Sequence, residues 1–212
     1  SYKRVCFLKP FKLLGGDSSI KNIDRIAFSI LYPKRDNAFA ASFLESFSKD
    51  ERYLLEHAYK KDINAPLCHS IGRLFDAAAA VILKQKTVTY DGESGLCLEA
   101  LCDENIQDGY DIIVNENGEV KYAHWFLRML SEEPIVAASK FINTLSALIV
   151  YIAKKYNKKV VFGGGVFQNR TLVQKTMELL EKEHIEFFFP KTISPNDSSI
   201  ALGQIVYALN NL

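Results

Sequence analysis

An α/β fold follows from two observations in this 212-residue sequence. Residues 158–182, KKVVFGGGVFQNRTLVQKTMELLEK, set a short β-branched strand before three glycines and then a helix, and IEFFF (185–189) supplies a second strand. This is a β-α-β unit, whose strands are expected to be parallel and whose crossover is expected to be right-handed. The first third, by contrast, carries its apolar and aromatic residues at helical spacing, so helices outnumber strands.

The chain enters on a strand at 4–8 and turns at Gly15-Gly16-Asp17, where Ser18 or Ser19 can cap a helix bearing Ile20, Ile23, Ile26, Ala27 and Ile30 on one face. Phe39, Phe43 and Phe47, four apart, define a second helix, and residues 49–60 a third. GRLFDAAAAVILK (72–84) is the next helix, KTVTYDGESG reads as a strand ending in a turn at Asp91-Gly92, and 97–101 is helical. Strands at 111–114 and 119–123 flank NENG (115–118), a strong hairpin turn. A long amphipathic helix at 134–155 presents Phe141, Leu145, Leu148 and Ile152 on one face, followed by the strand at 159–162, the glycine turn, a helix at 170–183 and the strand at 185–189. Pro195-Asn196-Asp197 then forms a loop before a terminal helix rich in small residues. The expected organisation is a helical and hairpin part (1–133) followed by a β-α-β part (134–212). A start at Ser-Tyr, directly before a strand, is expected of a piece of a longer polypeptide.

With 48% hydrophobic and 24% charged residues the chain can bury a full core, as one globular domain with two lobes. The 26 Lys and Arg nearly balance 25 Asp and Glu, which leaves no global basic field for nucleic acid. No run of about 18 consecutive apolar residues and no signal-peptide pattern occurs, so neither a membrane span nor secretion is expected, and the expected location is cytoplasmic. Of Cys6, Cys68, Cys97 and Cys102 only the last two are close, at a C-x4-C spacing that suits few zinc sites, and all four read as buried reduced thiols. His57, His69, His124 and His184 are dispersed, so no metal site made by this chain alone is expected.

Three features carry chemistry. With no Cβ on Gly163, Gly164 or Gly165, a ligand can approach the backbone, and the helix that follows offers unpaired N–H groups to an anion. Asn169 stands where it can cap that helix or hydrogen-bond a ligand. Asp76 is a carboxylate inside a nearly unbroken apolar run, so it either lies in the first helical turn, favoured by the helix dipole, or faces a polar site. The glycine turn and the Asp197 loop both follow strands, at the carboxyl edge where α/β sheets bind ligands.

LKPFKLLGGDSSIKNIDR, SIGRLFDAAAAVI, TYDGES, GGGVFQNR and SPNDSSIALGQ occur in the order and approximate spacing of one family. Over almost its whole length the chain resembles the C-terminal region of the HypF carbamoyltransferases of nickel-iron hydrogenase maturation. The resemblance implies the second lobe of an actin/sugar-kinase/Hsp70-like (ASKHA) domain, with additional helices, shared with the threonylcarbamoyl-adenosine synthases and antibiotic O-carbamoyltransferases. It implies transfer of the carbamoyl group of carbamoyl-adenylate, made from carbamoyl phosphate and ATP, to the C-terminal Cys of HypE. The implied nucleotide contacts are Asp76 at the ribose hydroxyls, Gly92, Gly164, Gly165 and Asn169. Asp197 is the implied ligand of a divalent metal (iron, zinc or magnesium), whose two histidine partners belong to a preceding lobe not contained in this sequence. HypE and upstream domains of the same polypeptide are the implied partners. Departures are local: Gly163 stands where the family often has Ser, Cys68-His69 where Thr-Ser is frequent, and Ile142 where a His is common.

Two other readings are open on the sequence. A relative could act on a tRNA adenosine or a small-molecule hydroxyl, although the GGDSS entry and PND-x-x-IALGQ ending favour the hydrogenase member. A non-catalytic module could instead dock a partner through Phe39, Phe43 and Phe47, a stripe that is more often core.

Overall fold

The computed structural model describes residues 3–211, which divide into two compact units between Thr144 and Leu145. In the first unit β1 (Phe7–Leu8), β2 (Phe11–Lys12), α1 (Ser18–Lys21), α2 (Asp24–Leu31), α3 (Ala38–Glu45) and α4 (Lys49–Lys61) are followed by β3 (Leu67–Cys68), α5 (Ile71–Ile82) and α6 (Glu93–Ala100). Then come β4 (Ile113–Val114), β5 (Glu119–Lys121), α7 (Ala123–Met129) and α8 (Pro134–Tyr156), within which the unit boundary falls.

Side chains set the helix starts. Asn37 accepts from the N–H groups of Phe39 and Ala40, Ser48 and Glu51 cap each other reciprocally at α4, and Ser70 accepts from the N–H of Arg73. Helices α2 and α5 pack closely because Ala77, Ala78, Ala79 and Ala80 are all buried and too small to hold the backbones apart. Around them lie the buried Trp125, Phe126 and Phe141, with the Phe75 and Phe141 rings edge to face at 5.0 Å. A second cluster gathers Leu14, Phe28, Tyr32, Leu44 and Leu55, against which Phe43 and Phe47 pack. Phe39 alone of the aromatic stripe is well exposed, so two of the three phenylalanines belong to the core.

The NENG hairpin forms as β4 antiparallel to β5, and β1 adds in parallel to the other side of β5. Gly118 closes that turn at φ +88°, where a Cβ would lie 2.2 Å from the carbonyl oxygen of Val5. Backbone strain of about 1–2 kcal/mol and overpacking of about 1–3 kcal/mol both act at this position. Gly118→Ala is therefore expected to lower stability by about 2–5 kcal/mol, read as a fall in melting temperature. An unchanged melting temperature would mean that β1 does not depend on this approach.

Three expectations are corrected in this unit. Residues 86–90 form no strand, because the Glu93 carboxylate accepts from both the N–H and the hydroxyl of Thr89 (2.6 and 2.7 Å) and turns the segment into the lead-in to α6. The helix accordingly starts at Glu93 rather than 97. The hairpin strand expected to reach 123 stops at Lys121, and α7 follows, pinned by Trp125, whose Nε1 donates to the carbonyl of Asp111 at 2.8 Å. The four cysteines are reduced thiols, but half-buried rather than buried.

By length and composition α8 could cross a membrane, but more than half of its apolar stretch is buried. Its polar residues in the first unit bond there: Asn143 donates to the carbonyls of Ile106 and Asp108, and the Thr144 hydroxyl accepts from Tyr110 N–H. Those features are of a core helix.

The second unit has β6 (Val160–Val161), a 3-10 turn (Gly165–Gln168), α9 (Arg170–Lys182), β7 (Phe187–Phe188), a 3-10 turn (Asp197–Ser199) and α10 (Ile200–Leu209). Strands β6 and β7 pair in parallel, Val160 opposite Phe187 and Val161 opposite Phe188, as the β-α-β reading requires. Val150, Ala153, Phe162 and Leu180 make its core, with Phe167 and Phe189 against the Phe162 ring at 4.9 and 5.8 Å.

Candidate functional site

Asp76 is the sixth residue of α5, beyond its first turn, so the helix-terminus explanation for it does not apply. The α/β core buries it to 3% exposure. Its Oδ2 lies 2.7 Å from Nη1 of Arg73, one turn earlier, yet completes no hydrogen bond. Ser94, the second residue of α6, has its buried hydroxyl beside the carboxyl, near enough to favour its charged form but out of line for a well-formed hydrogen bond. Burial pushes the Asp76 carboxyl up, Ser94 and the Arg73 cation pull it back down, and the Asp91 carboxylate pushes it up again.

Asp91 joins the group because Arg73 Nη2 donates to its Oδ1. Gly92 follows it at φ +90°, the residue before α6, with nothing near the position a Cβ would take. Asp76 and Gly92 are thus brought to one place by Arg73, Asp91 and Ser94. Sequence reading did not single out these three, although Arg73 and Asp76 share a helix face at i, i+3 and Asp91 and Ser94 flank Gly92 in TYDGES. Three buried side-chain oxygens without hydrogen-bond partners, on Asp76, Gln85 and Ser94, lie in or beside α5 and α6. In folded proteins such atoms are few, and a ligand hydroxyl is one group that satisfies them. The residues therefore fit a polyhydroxylated ligand such as a ribose.

In the second unit the glycine turn and the Asp197 loop meet. Gly164, at φ +111° and ψ 151°, adopts a conformation that side chains disfavour, and its N–H donates to the carbonyl of Pro195 at 2.6 Å. A Cβ on Gly163 or Gly164 would meet nothing, and one on Gly165 would only touch Asn196 and Gln168, each at 3.9 Å, so the space over the turn is open to a ligand. Asn169 is buried and caps α9, its Oδ1 accepting from Leu172 N–H at 2.8 Å. Asn196, rather than Asp197, caps the next turn by accepting from Ser198 N–H at 3.1 Å. Asp197 is exposed. Among the described residues no three His, Cys, Asp or Glu side chains gather to hold a metal, and one exposed carboxylate fits a metal only as a contributor of a single ligand.

Comparison with known proteins defines the class first. Residues 1–204 match the family described as "Carbamoyltransferase, Kae1-like Domain, second subdomain". The chain belongs to this family and represents the C-terminal region of HypF. It is 32% identical over 229 residues to carbamoyltransferase HypF of Synechocystis sp., covering 97% of this chain and 30% of that protein. It is 27% identical over 233 residues to the probable carbamoyltransferase HypF of Methanocaldococcus jannaschii, covering 99% of this chain and 29% of the other. The chain thus spans about 30% of the length of these relatives. It superposes on a crystal structure of full-length HypF in the phosphate- and nucleotide-bound form with TM-score 0.88 and 28% identity, over 98% of this chain and 34% of that one. T. kodakarensis HypF shares the fold, with TM-score 0.75 and 20% identity over 91% of this chain and 28% of the other.

Proposed function

We propose that this chain is the second lobe of an ASKHA-type domain in a longer carbamoyltransferase, which moves the carbamoyl group of carbamoyl-adenylate onto the C-terminal Cys of HypE. The observation that carries the reading is Asp76, a buried carboxylate ion-paired with Arg73 but without a well-aligned hydrogen bond at Oδ2, beside the open Gly92 turn. The relative solved with phosphate and nucleotide supports it, since the likeness covers 98% of this chain.

In this reading Asp76 accepts hydrogen bonds from the ribose hydroxyls of the adenylate, a charged acceptor giving the stronger bond. Gly92 keeps the turn before α6 clear, and the open backbone at Gly164 and Gly165 receives the nucleotide without side-chain obstruction. Asn169 fixes the start of α9 and so the shape of the glycine turn. When bound, carbamoyl-adenylate supplies a carbamoyl carbon activated by its AMP leaving group. The HypE thiolate forms the C–S bond as the C–O bond to phosphate breaks, and AMP leaves with the electron pair. The positioning of nucleotide and thiol is the share of the rate this lobe can contribute. The reaction belongs to the cytoplasm, with HypE and the upstream domains as partners, ATP consumed upstream, and neither nucleic acid nor membrane involved.

The chain by itself is expected to lack transferase activity and to bind metal weakly, because Asp197 supplies one ligand and the histidines implied by the family lie outside this sequence. Metal analysis after chelator dialysis, together with mass spectrometry of HypE, tests both points. Stoichiometric, chelator-resistant iron, zinc or magnesium, or carbamoylated HypE, would overturn the division of ligands. The same HypE assay on the longer enzyme carrying this chain tests the function itself: no mass gain with carbamoyl phosphate and ATP present defeats the reading.

A further inference from the structure

Arg73 holds two carboxylates at once. Its Nη1 lies 2.7 Å from Asp76 Oδ2 while its Nη2 donates to Asp91 Oδ1. The Asp76 side chain is 4% exposed and the Asp91 side chain 82%, so the guanidinium, itself 17% exposed, spans from the interior to the surface. A buried pair of this kind is weak evidence of stabilisation, since desolvation offsets the attraction. Nor does the fork saturate its buried partner: Asp76 Oδ2 is ion-paired with Arg73, yet neither it nor the neighbouring Ser94 hydroxyl makes a well-aligned hydrogen bond. What the geometry does achieve is direction. A planar cation fixed at its outer nitrogen restricts where the inner carboxylate can turn, and leaves its acceptor capacity unspent.

We propose that Arg73, anchored on Asp91, is a positioning residue that holds the Asp76 carboxylate aimed at the vicinal hydroxyls of a ribonucleotide, and so sets a preference for ribose over deoxyribose. The proposal rests on the reading of Asp76 as the ribose contact. The charged and titratable groups that face Asp76 are Arg73 and Asp91, with Ser94 as the polar neighbour. Removing Arg73 takes away the cation and leaves Asp91 unpaired, and both changes favour the protonated acid. Asp76 then picks up its proton at a higher pH, and the charged acceptor is lost sooner on acidification.

The test uses the full carbamoyltransferase carrying this chain, titrated calorimetrically with AMP and with 2′-deoxy-AMP across the acid-to-neutral range. The binding component that disappears in Asp76→Asn is the signal, which separates this site from any nucleotide site elsewhere. Wild type is expected to prefer AMP by about tenfold, the effect of one hydrogen bond to a charged group. Arg73→Met is expected to reduce the preference to about twofold and to move the pH at which affinity halves upward by about one unit. Arg73→Lys restores the pH midpoint more than the preference, because it returns the charge without the fork. Asp91→Asn, at an exposed position with little risk to folding, weakens the preference through the same anchor and decides the matter if Arg73→Met does not fold. Wild type that fails to distinguish AMP from its deoxy analogue defeats the Asp76 reading, and this proposal with it. Wild type that distinguishes them, while the Arg73 and Asp91 variants keep both preference and midpoint, defeats the proposal and leaves Asp76 as the ribose contact.

Discussion

Replacing Asp76 with alanine in the full-length carbamoyltransferase is expected to weaken nucleotide binding by about 10- to 150-fold, the equivalent of about 1.5–3 kcal/mol for a charged acceptor of two hydroxyls. Folding should suffer far less. Burial raises the carboxyl's pKa above its ordinary value despite Arg73 and Ser94, so the ionised group is a cost to the folded state at neutral pH. The sign follows from that direction. A carboxyl whose pKa is higher folded than unfolded contributes stability that is fully present below its unfolded pKa and is lost as pH rises through the folded value. Asp76→Ala at neutral pH removes a cost rather than a support, and leaves Arg73 still paired with the exposed Asp91. Calorimetry with AMP and a thermal melt give the two numbers. Unchanged affinity together with a large drop in melting temperature would assign Asp76 to structure.

Asp197→Ala is expected to abolish carbamoylation of the HypE Cys, by about 100-fold or more, while carbamoyl-phosphate-dependent ATP–pyrophosphate exchange persists. The two reactions are proposed to occur in different domains, and only the transfer domain includes this chain. The local structure does not need the carboxylate, since Asn196 caps the turn and the Ser199 hydroxyl ties it to Ser194 O at 2.6 Å. A folding defect is therefore not the expected cause of the loss. Mass spectrometry of HypE reads the transfer, and labelled pyrophosphate reads the exchange. Equal losses in a folded protein would mean the division of labour is wrong, and no loss in either would leave Asp197 a surface residue of its loop.

Much of the second unit was legible in the sequence because its signals are local. A β-branched pair, glycines, a capping Asn169 and the amphipathic α9 lie in one continuous stretch, and each constrains its neighbours in the chain. Asp76 also announced itself, as a carboxylate among alanines. Its partners did not, because the Arg73–Asp91 contact joins residues eighteen apart in sequence through the packing of α5 on α6. The false strand at 86–90 has the same origin: KTVTY carries β-favouring residues, but Glu93 reaches back and claims the backbone N–H of Thr89. Helix α7 was missed because seven residues show barely two turns of periodicity. The boundary at 144/145 left no mark either, since it falls inside a helix whose apolar pattern continues across it.

The bond from Gly164 N–H to Pro195 O means that the glycine turn and the Asp197 loop cannot be displaced independently. In the proposed reading, a nucleotide on the turn and a cation at Asp197 would be coupled through this bond, and thermodynamic reciprocity would make that coupling mutual. In that reading the second unit would work as an AND gate, with one loop reporting the occupancy of the other.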